Sequence, residues 1–514
     1  MAATYAAAQP VPLKGGALIL AGFLLAVGNF MVVLDMTIAN VSVPNIAGGL
    51  AVSPSQGTWV ITSYSVAEAI VVPLTGWLAA RFGAVRVFVA GMIGFGIFSA
   101  LCGLAPSLGF LVLFRVMQGL CGGPIMPMSQ TLLMRIFPPQ QRGQAMGLWS
   151  MTTVTAPIAG PILGGVLCDT AGWPWVFYIN VPVAAVCGFF AWRMLRSQET
   201  ATENRRIDFV GLGLLVLFVG ALQIMLDKGK ELDWFGSPVI VGLAIVAAIG
   251  FVSFVIWELT DDVPIVDLRV FRHRGFTGAV ITIAITFGAF FSSIVLVPLW
   301  LQTNMGYTAS WAGFTTALGG VMAVVLSPLV PRLMKTIDPR LLVSFGVALL
   351  GAVALWRAGF ASNASYWVIA VTFLVQGVAM PFFFIPTTTI SLSSVLPSET
   401  ASAAGLQNFL RTLSAAFSAA IMTTMWDNAA SRNHANMAGA LNDPDGVQNT
   451  LTKLGMTSSQ ALGQIENLTQ GQAVMLATDQ MFLVMMVAFI VAAAAVWLAP
   501  KPSPFGGPAA AGGH

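Results

Sequence analysis

The chain is a succession of long apolar stretches separated by short polar turns. Twenty-eight uncharged residues lie between Arg86 and Arg115, and twenty-six lie between Arg142 and Asp169. A helix needs about 20 mostly apolar residues to cross a bilayer, whereas membrane β-strands alternate apolar and polar positions. The pattern therefore predicts fourteen transmembrane helices, at residues 17–38, 58–78, 86–105, 108–129, 142–165, 173–193, 208–226, 238–257, 275–300, 310–331, 341–360, 366–392, 402–424 and 479–499.

The composition excludes several classes of protein. Only 8% of the 514 residues are charged, against roughly 25% in an ordinary soluble domain. So few charges cannot cover the surface of a soluble enzyme, a nucleic-acid-binding protein or a disordered scaffold, and a net charge of +3 indicates no polyanionic partner. The four cysteines form no CxxC motif, so we expect no metal site. An all-α membrane protein in a lipid bilayer remains.

Lysine and arginine are unevenly divided between the two ends of the predicted helices. With the N-terminus inside, 16 of the 23 fall in inner loops and five, including Arg357, in outer loops. Since cytoplasmic loops of membrane proteins carry the excess of Lys and Arg, we expect both termini in the cytoplasm. Four charged residues then lie within predicted helices: Asp35, Glu68, Arg115 and Arg411.

A weak internal repeat relates the two ends of the chain. Gln118 recurs as Gln376 and Gly147 as Gly405, each 258 positions later. This offset corresponds to eight predicted helices, an even number, so the two repeats should enter the membrane in the same orientation. The predicted organisation is a six-helix half at 1–193, linkers and two inserted helices at 194–274, a second six-helix half at 275–499 with an outer loop at 425–478, and a cytoplasmic tail at 500–514.

Short motifs accompany these helices. They include Leu34-Asp35 at the end of the first helix, Gly76 to Gly83 after the second, Arg115 with Gln118 and Gly119 in the fourth, Gly160, Pro161, Gly164 and Gly165 in the fifth, and Asn180 in the sixth. Over nearly its whole length the chain resembles the fourteen-helix drug:proton antiporter family of the major facilitator superfamily. Within that family it is similar to the inner-membrane subunits of tripartite multidrug pumps.

The resemblance implies a fold, an activity and partners. The fold would be the major facilitator fold, arranged as six, two and six helices. The activity would be export of hydrophobic drugs, dyes or uncouplers from the bacterial inner membrane, without a cofactor and with the proton as the coupling ion. A periplasmic adaptor and an outer-membrane channel would complete the pump. The outer loop at 425–478 is then a contact for the adaptor, or a solvated cap over the cavity.

Three of the charged residues within helices are candidates for proton coupling. A carboxylate at membrane depth is costly, so Asp35 is either a proton-binding group facing a cavity or a solvated helix end. Glu68 is a second proton carrier, an anchor for cationic drugs, or a neutral side chain hydrogen-bonded between helices. The resemblance gives Arg115 a role in coupling, through pairing with Asp35. The alternative for Arg115 is a structural bond to a backbone carbonyl.

The remaining candidates concern helix packing and the substrate cavity. The resemblance marks Gly160, Pro161, Gly164 and Gly165 as an antiporter motif; generic packing of small residues is the alternative. One departure from the superfamily pattern is Ala80, which stands where an Asp usually helps to latch the cytoplasmic side. The cavity should be wide and mostly apolar, with Met and Phe. The polar residues expected to line it are Gln118, Asn180, Gln376, Gln407, Asn408 and Arg411.

Other functions fit the sequence less well. A proton-coupled exporter of one endogenous metabolite would favour a cavity with specific charges, and these are sparse. A membrane-embedded enzyme would need a base paired with a nucleophile, or a metal cluster, within the helices, and the sequence offers neither. An uptake transporter would not need the glycine-rich motif of the fifth helix. We therefore predict a multidrug efflux antiporter rather than an enzyme.

Overall fold

The computed structural model describes residues 13–204, 206–362, 364–440 and 444–501, and these residues form helices and turns without a strand. Most of the predicted tail, from residue 502 onward, lies outside this range. Each of the fourteen predicted helices coincides with a helix. We number them α1 (Gly15–Gly49), α2 (Trp59–Phe82), α3 (Ala84–Gly103), α4 (Leu108–Ile136), α5 (Arg142–Thr170), α6 (Trp175–Gln198), α7 (Phe209–Lys228), α8 (Pro238–Thr260), α9 (Arg274–Thr303), α10 (Ala309–Leu326), α11 (Pro339–Arg357), α12 (Tyr366–Ser393), α13 (Thr400–Gly439) and α14 (Ser458–Leu498).

Most of these helices match the dimensions of a bilayer. Within the described residues, eleven are long and apolar enough to cross a membrane, and the bent helix α5 makes twelve. The other two are α10, which is apolar but shorter, and α13, whose second half carries Asp427 and Arg432. The prediction of an all-α, multi-pass membrane protein is confirmed. Short helices at Pro54–Gly57, Val330–Leu333 and Pro444–Lys453 lie between the long ones.

Side chains at the helix starts satisfy backbone N–H groups that would otherwise lack partners. Asp208 accepts from Val210 N and Gly211 N at the start of α7, and Asp338 accepts from Arg340 N at the start of α11. Between α2 and α3, Gly83 has a φ of +93°, a conformation that other residues rarely adopt. These local features explain why the helices begin after short polar turns.

The segment 425–478, predicted as a loop, is largely helical. Helix α13 continues to Gly439, a short helix covers Pro444–Lys453, and α14 begins at Ser458. The indole N–H of Trp426 donates to Thr478 Oγ1 at 2.9 Å, which joins α13 to α14. A search for apolar stretches overlooks this segment, because its helices are polar and extend past the apolar parts of α13 and α14.

The N-terminal half (α1–α6) and the C-terminal half (α9–α14) share one core at one end of the bundle. At the end of α4, Leu133 and Phe137 belong to the same buried cluster as Leu342 and Phe382. Each half also has an apolar cluster of its own. The halves are therefore closed at the end that carries the α2–α3 turn.

Glycines permit close contact at this closed end. A Cβ built on Gly405 in α13 would lie 2.9 Å from the carbonyl oxygen of Val72, and one built on Gly76 would lie 2.8 Å from Ser402 Cα. A larger side chain at either position would force the halves apart.

The inserted helices α7 and α8 contact both halves. Helix α7 packs against α2 and α13. At the end of α7, Lys228 Nζ donates to Thr58 Oγ1 at 3.1 Å. Just after this helix, Lys230 forms an ion pair with Asp427 of α13 at 2.6 Å. The inserted pair therefore links the two halves at the end opposite to their shared core.

Candidate functional site

Asp35 accepts three hydrogen bonds in the interior of the N-terminal half. Its side chain is 1% exposed and lies well inside α1, which continues to Gly49. Arg115 Nη1 donates to Oδ2 at 2.6 Å, whereas Gln118 Nε2 and Asn180 Nδ2 donate to Oδ1 at 3.1 and 2.7 Å. The alternative of a solvated helix end is therefore wrong.

Arg115 makes both contacts considered for it from the sequence, the pairing with Asp35 and a bond to a backbone carbonyl. Besides its ion pair with Asp35, its Nε donates to the carbonyl oxygen of Val60 at 3.0 Å, and Nη1 also donates to Gln118 Oε1 at 2.8 Å. The guanidinium carbon lies 4.3 Å from the centroid of the Tyr64 ring. These contacts hold the planar guanidinium in one orientation, in which Nη1 points at the Asp35 carboxylate.

Sequence reasoning missed Ser99, which completes the network. Asn180 Nδ2 donates to Ser99 Oγ at 3.1 Å, and Ser99 Oγ donates to the carbonyl oxygen of Phe177 at 2.8 Å. Ser99 fixes the amide of Asn180 beside Asp35. A small hydroxyl in an apolar helix gives little signal by itself, so only the packing of α3 on α6 identifies this residue.

The Asp35 network is built for an ionised carboxylate. N–H groups from three side chains bond to its two oxygens, and a buried charge with such partners is far less costly than an unpaired one. These bonds take three of the roughly four lone-pair positions of a carboxylate, so a proton has a place on Oδ2, but it removes the negative charge with which Arg115 is paired. Protonation of Asp35 would therefore change the contacts between α1, α4 and α6.

Glu68 belongs to the N-terminal half and Arg411 to the C-terminal half, and both side chains are buried where the two halves meet. Glu68 in α2 is 4% exposed, and its Oε2 has no hydrogen-bond partner among the described residues. Arg411 in α13 is 5% exposed, contacts Met126 Sδ and lies 5.2 Å from the Phe287 ring centroid. The two charges interact electrostatically without forming an ion pair. Their proximity was not evident from the sequence.

The polar residues expected to line a single cavity lie in three places. Gln118 and Asn180 belong to the Asp35 network. Asn408 Nδ2 donates to Gln130 Oε1 at 2.6 Å across the closed contact between the halves, and the neighbouring Gln407 is 2% exposed. Gln376 lies farther along the C-terminal half, beside a cavity that also contacts Arg357.

The glycine motif of α5 lies against α1. A Cβ built on Gly160 would lie 2.6 Å from Thr37 Cβ, and one on Gly164 would lie 3.3 Å from the carbonyl oxygen of Ile38. Gly165 has no such neighbour within 4 Å in the described part of the chain. The axis of α5 bends by 48° between the segments Pro139–Pro157 and Ile162–Thr170. The side chain of Pro161 lies outside the described residues.

Glu199 lies at the α2–α3 turn, which comes a few residues after Ala80. Its carboxylate accepts from the backbone N–H groups of Val85 and Arg86 at 2.9 and 3.0 Å, at the start of α3. Arg135 Nη2 donates to its carbonyl oxygen at 2.9 Å. The chain after α6 therefore ties α3 to α4 at the closed end.

Two buried charges contradict the prediction that only four lie within the helices. Arg357, predicted to lie in an outer loop, is 2% exposed at the end of α11. Glu258 near the end of α8 is fully buried and accepts from Val266 N at 3.1 Å. Both residues lie at the end of an apolar stretch, so the sequence suggests that they are exposed. Their burial depends on how neighbouring helices pack around them, which the local sequence does not show.

A groove in the C-terminal half has the lining expected for hydrophobic ligands. It measures about 430 Å³ and lies between α9, α13 and α14. Its walls include Phe417, Met422, Met425 and Met485, with Ser292 and Ser414 as polar groups. Cavities of this size bind drug-sized molecules in other proteins, and methionine side chains adapt to different shapes.

Known proteins share this sequence and architecture. The model of the Major Facilitator Superfamily matches residues 25–419. The multidrug export protein EmrB of Escherichia coli (strain K12) is 45% identical over 97% of this chain and 98% of its own. The fatty acid resistance protein FarB of Neisseria gonorrhoeae is 42% identical over 98% and 99%.

The fold agrees with a distant solved structure. The proton:xylose symporter XylE superposes with a TM-score of 0.60 at 13% identity, covering 95% of this chain and 97% of that one. The shared architecture, the matched family model and the identity to full-length relatives lead to one conclusion. The chain belongs to the major facilitator superfamily, as a multi-pass membrane protein of the EmrB type.

Proposed function

We propose that this protein is a proton-driven multidrug exporter of the bacterial inner membrane, with both termini in the cytoplasm. Its membership of the superfamily supports transport, and the name of its relative EmrB supports export of several drugs. The expected substrates are hydrophobic drugs, dyes or uncouplers. The groove lined by methionine and phenylalanine is suited to them.

The Asp35 network is the observation that carries the proposal of proton coupling. The ionised carboxylate is held by Arg115, Gln118 and Asn180. In the proposed cycle, a proton from outside binds Asp35, removes the negative charge with which Arg115 is paired and favours rearrangement of the halves. Its release inside restores the ion pair. The drug enters from the inside and leaves outside, so that drug and proton move in opposite directions.

The proton gradient supplies enough energy for this exchange. One charge crossing about 100 mV releases roughly 2.3 kcal/mol. At about 1.4 kcal/mol per tenfold change in concentration, this supports a drug gradient of about 50-fold for one proton. Uptake of a second proton, for which Glu68 is the proposed carrier, would square that ratio.

A periplasmic adaptor and an outer-membrane channel are the proposed partners. The polar extensions of α13 and α14, with the short helix between them, are the proposed adaptor contact. Leu454, Leu462 and Leu468 are 76%, 52% and 59% exposed on this extension. Exposed leucines on a segment expected to lie outside the bilayer are suited to a protein partner.

Transport in inverted membrane vesicles tests the proposal. An imposed proton gradient should drive accumulation of a hydrophobic dye, and collapse of the gradient should release it. Asp35→Asn should reduce driven accumulation to the level of vesicles without the protein, whereas Asp169→Asn, at an exposed position, should not. Gradient-independent accumulation would contradict proton coupling, and normal transport by Asp35→Asn would contradict the assignment of Asp35.

A further inference from the structure

Arg357 is buried in the C-terminal half, and no carboxylate among the described residues pairs with it. Its Nε donates to Thr372 Oγ1 and its Nη1 to Ser293 Oγ, both at 2.9 Å. The guanidinium carbon lies 4.2 Å from the Phe373 ring centroid. Within the described ranges, Nη2 has no hydrogen-bond partner and no Asp or Glu forms an ion pair with this arginine. The side chain therefore keeps one buried positive charge without a counter-charge.

The internal repeat shows that Ser293 in the C-terminal half stands where the N-terminal half has Asp35. The offset of 258 positions relates four pairs of residues: Asp35 and Ser293, Ser99 and Arg357, Arg115 and Phe373, and Gln118 and Gln376. In both halves the arginine bonds to the residue at the first of these positions, which is Asp35 in one half and Ser293 in the other. The C-terminal half thus also has a buried arginine bonded to this position, with a hydroxyl in place of the carboxylate, although its arginine lies at the position of Ser99 rather than that of Arg115.

A buried guanidinium without a counter-charge is energetically unfavourable. Arginine stays protonated in proteins, so it cannot avoid the cost by becoming neutral. Arg357 ends α11, and the partial negative charge of a helix C-terminus is much smaller than the counter-charge that a buried ion needs. The contact with the Phe373 ring adds only a modest attraction. A negatively charged group beside Arg357 would remove most of this cost.

A small cavity adjoins Arg357. Its lining includes Arg357, Ser293 and Gln376, together with Phe290 and Phe482. The cavity is about large enough for one water-sized guest and too small for an organic molecule. A guanidinium, a hydroxyl and an amide supply N–H and O–H donors, whereas the rest of the lining is apolar.

We propose that this cavity binds one monovalent inorganic anion of halide size, held by Arg357, Ser293 and Gln376. The anion takes the place that the Asp35 carboxylate has in the other half. It stabilises the C-terminal half, and this effect is independent of the proton-driven export proposed above. The site gives the protein a requirement for chloride-like ions that the sequence motifs of the family do not indicate.

Thermal unfolding of the full-length protein in detergent tests the site without measuring transport. At constant ionic strength, sodium chloride and sodium bromide should raise Tm saturably relative to sodium gluconate, whose anion is too large for the cavity. Equal Tm values in the three salts would overturn the proposal. Because the test measures unfolding rather than transport, its outcome does not depend on whether the protein transports dye in vesicles.

Two variants identify the anion site. Ser293→Asp restores the carboxylate of the repeat, so it should abolish the halide effect and raise Tm in gluconate towards the wild-type value in chloride. Arg357→Gln should abolish the halide effect by removing the charge. Arg340→Gln is the matched control at the other end of α11, because Arg340 is paired with Asp338 at 2.9 Å; it should keep the halide effect. An undiminished halide effect in Ser293→Asp or Arg357→Gln would overturn the assignment.

Discussion

The carboxylate of Asp35 and the guanidinium of Arg115 form a 2.6 Å ion pair with both side chains 1% exposed. The pair joins α1 to α4, and Gln118 and Asn180 complete the coordination of the carboxylate. Neither charge has access to bulk water, so each one depends on the other for its stability. Any event that neutralises Asp35 must therefore also change the environment of Arg115.

This dependence predicts strong coupling in a double-mutant cycle. Arg115→Gln leaves the buried carboxylate unpaired and should lower the stability by about 3–5 kcal/mol, as for other broken buried pairs. Adding Asp35→Asn to that variant should recover part of the loss, because no charge is then unpaired. Denaturant unfolding in detergent measures all four proteins of the cycle. Additive effects of the two substitutions would contradict an energetic link between the residues.

The glycines of α5 provide a matched pair for testing the contact with α1. Gly160→Ala brings a methyl group to 2.6 Å from Thr37 Cβ, so the two helices must separate. We expect it to reduce dye transport severely at an unchanged level of protein in the membrane. Gly165→Ala, with open space around it, should transport normally. Equal activity of the two variants would indicate that close approach of α1 and α5 is not required.

The bond between Asn408 and Gln130 predicts a change in the balance between conformations. Asn408→Ala removes the 2.6 Å bond and leaves the buried amide oxygen of Gln130 without its donor, at a cost of about 1–3 kcal/mol. The closed contact between the halves should therefore open more often. Thiol labelling of Ser402→Cys, which lies against Gly76 at that contact, should become faster.

A control separates this effect from general loosening of the fold. Asn433→Ala removes a 3.3 Å bond to the carbonyl oxygen of Ala473 within the C-terminal half. It should leave the labelling of Ser402→Cys unchanged. The same acceleration in both variants would mean that Asn408 does not act at the contact between the halves.

The exposed leucines of the helical extension predict where the adaptor binds. Replacing Leu454, Leu462 and Leu468 together by Ser should reduce copurification of the adaptor while the protein still transports dye in vesicles, which need no adaptor. Leu104→Ser is the control, since Leu104 is 68% exposed in the turn after α3, in the N-terminal half. Normal copurification of the triple variant would place the adaptor contact elsewhere.

The sequence by itself predicted most of the fold. Long uncharged stretches located the long helices of the described residues, eleven or twelve of which are long and apolar enough to cross a membrane, because a membrane segment must be apolar along its length. It was less informative about the polar ends of α13 and α14, where solvent replaces lipid and no apolar run is needed. The segment 425–478 was therefore predicted as a loop although it is largely helical.

The candidate site was predicted in part. Asp35 and Arg115 were recognisable because charges within apolar stretches are rare and costly, and the structure pairs them. Ser99 and Arg357 were not, since a serine in a helix and an arginine at a helix end are ordinary in sequence. Their importance follows from which side chains surround them.

The sequence determined the class of protein, the number of candidate helices and the internal repeat, because these depend on composition and spacing along one chain. Only the tertiary structure decided that Asp35 is held by side chains of two other helices, that Glu68 is near Arg411 and that Arg357 is buried without a carboxylate among the described residues. Such features depend on distances between residues far apart in sequence. Burial and pairing set the energy of a charge, and both are properties of the packed bundle rather than of any single helix.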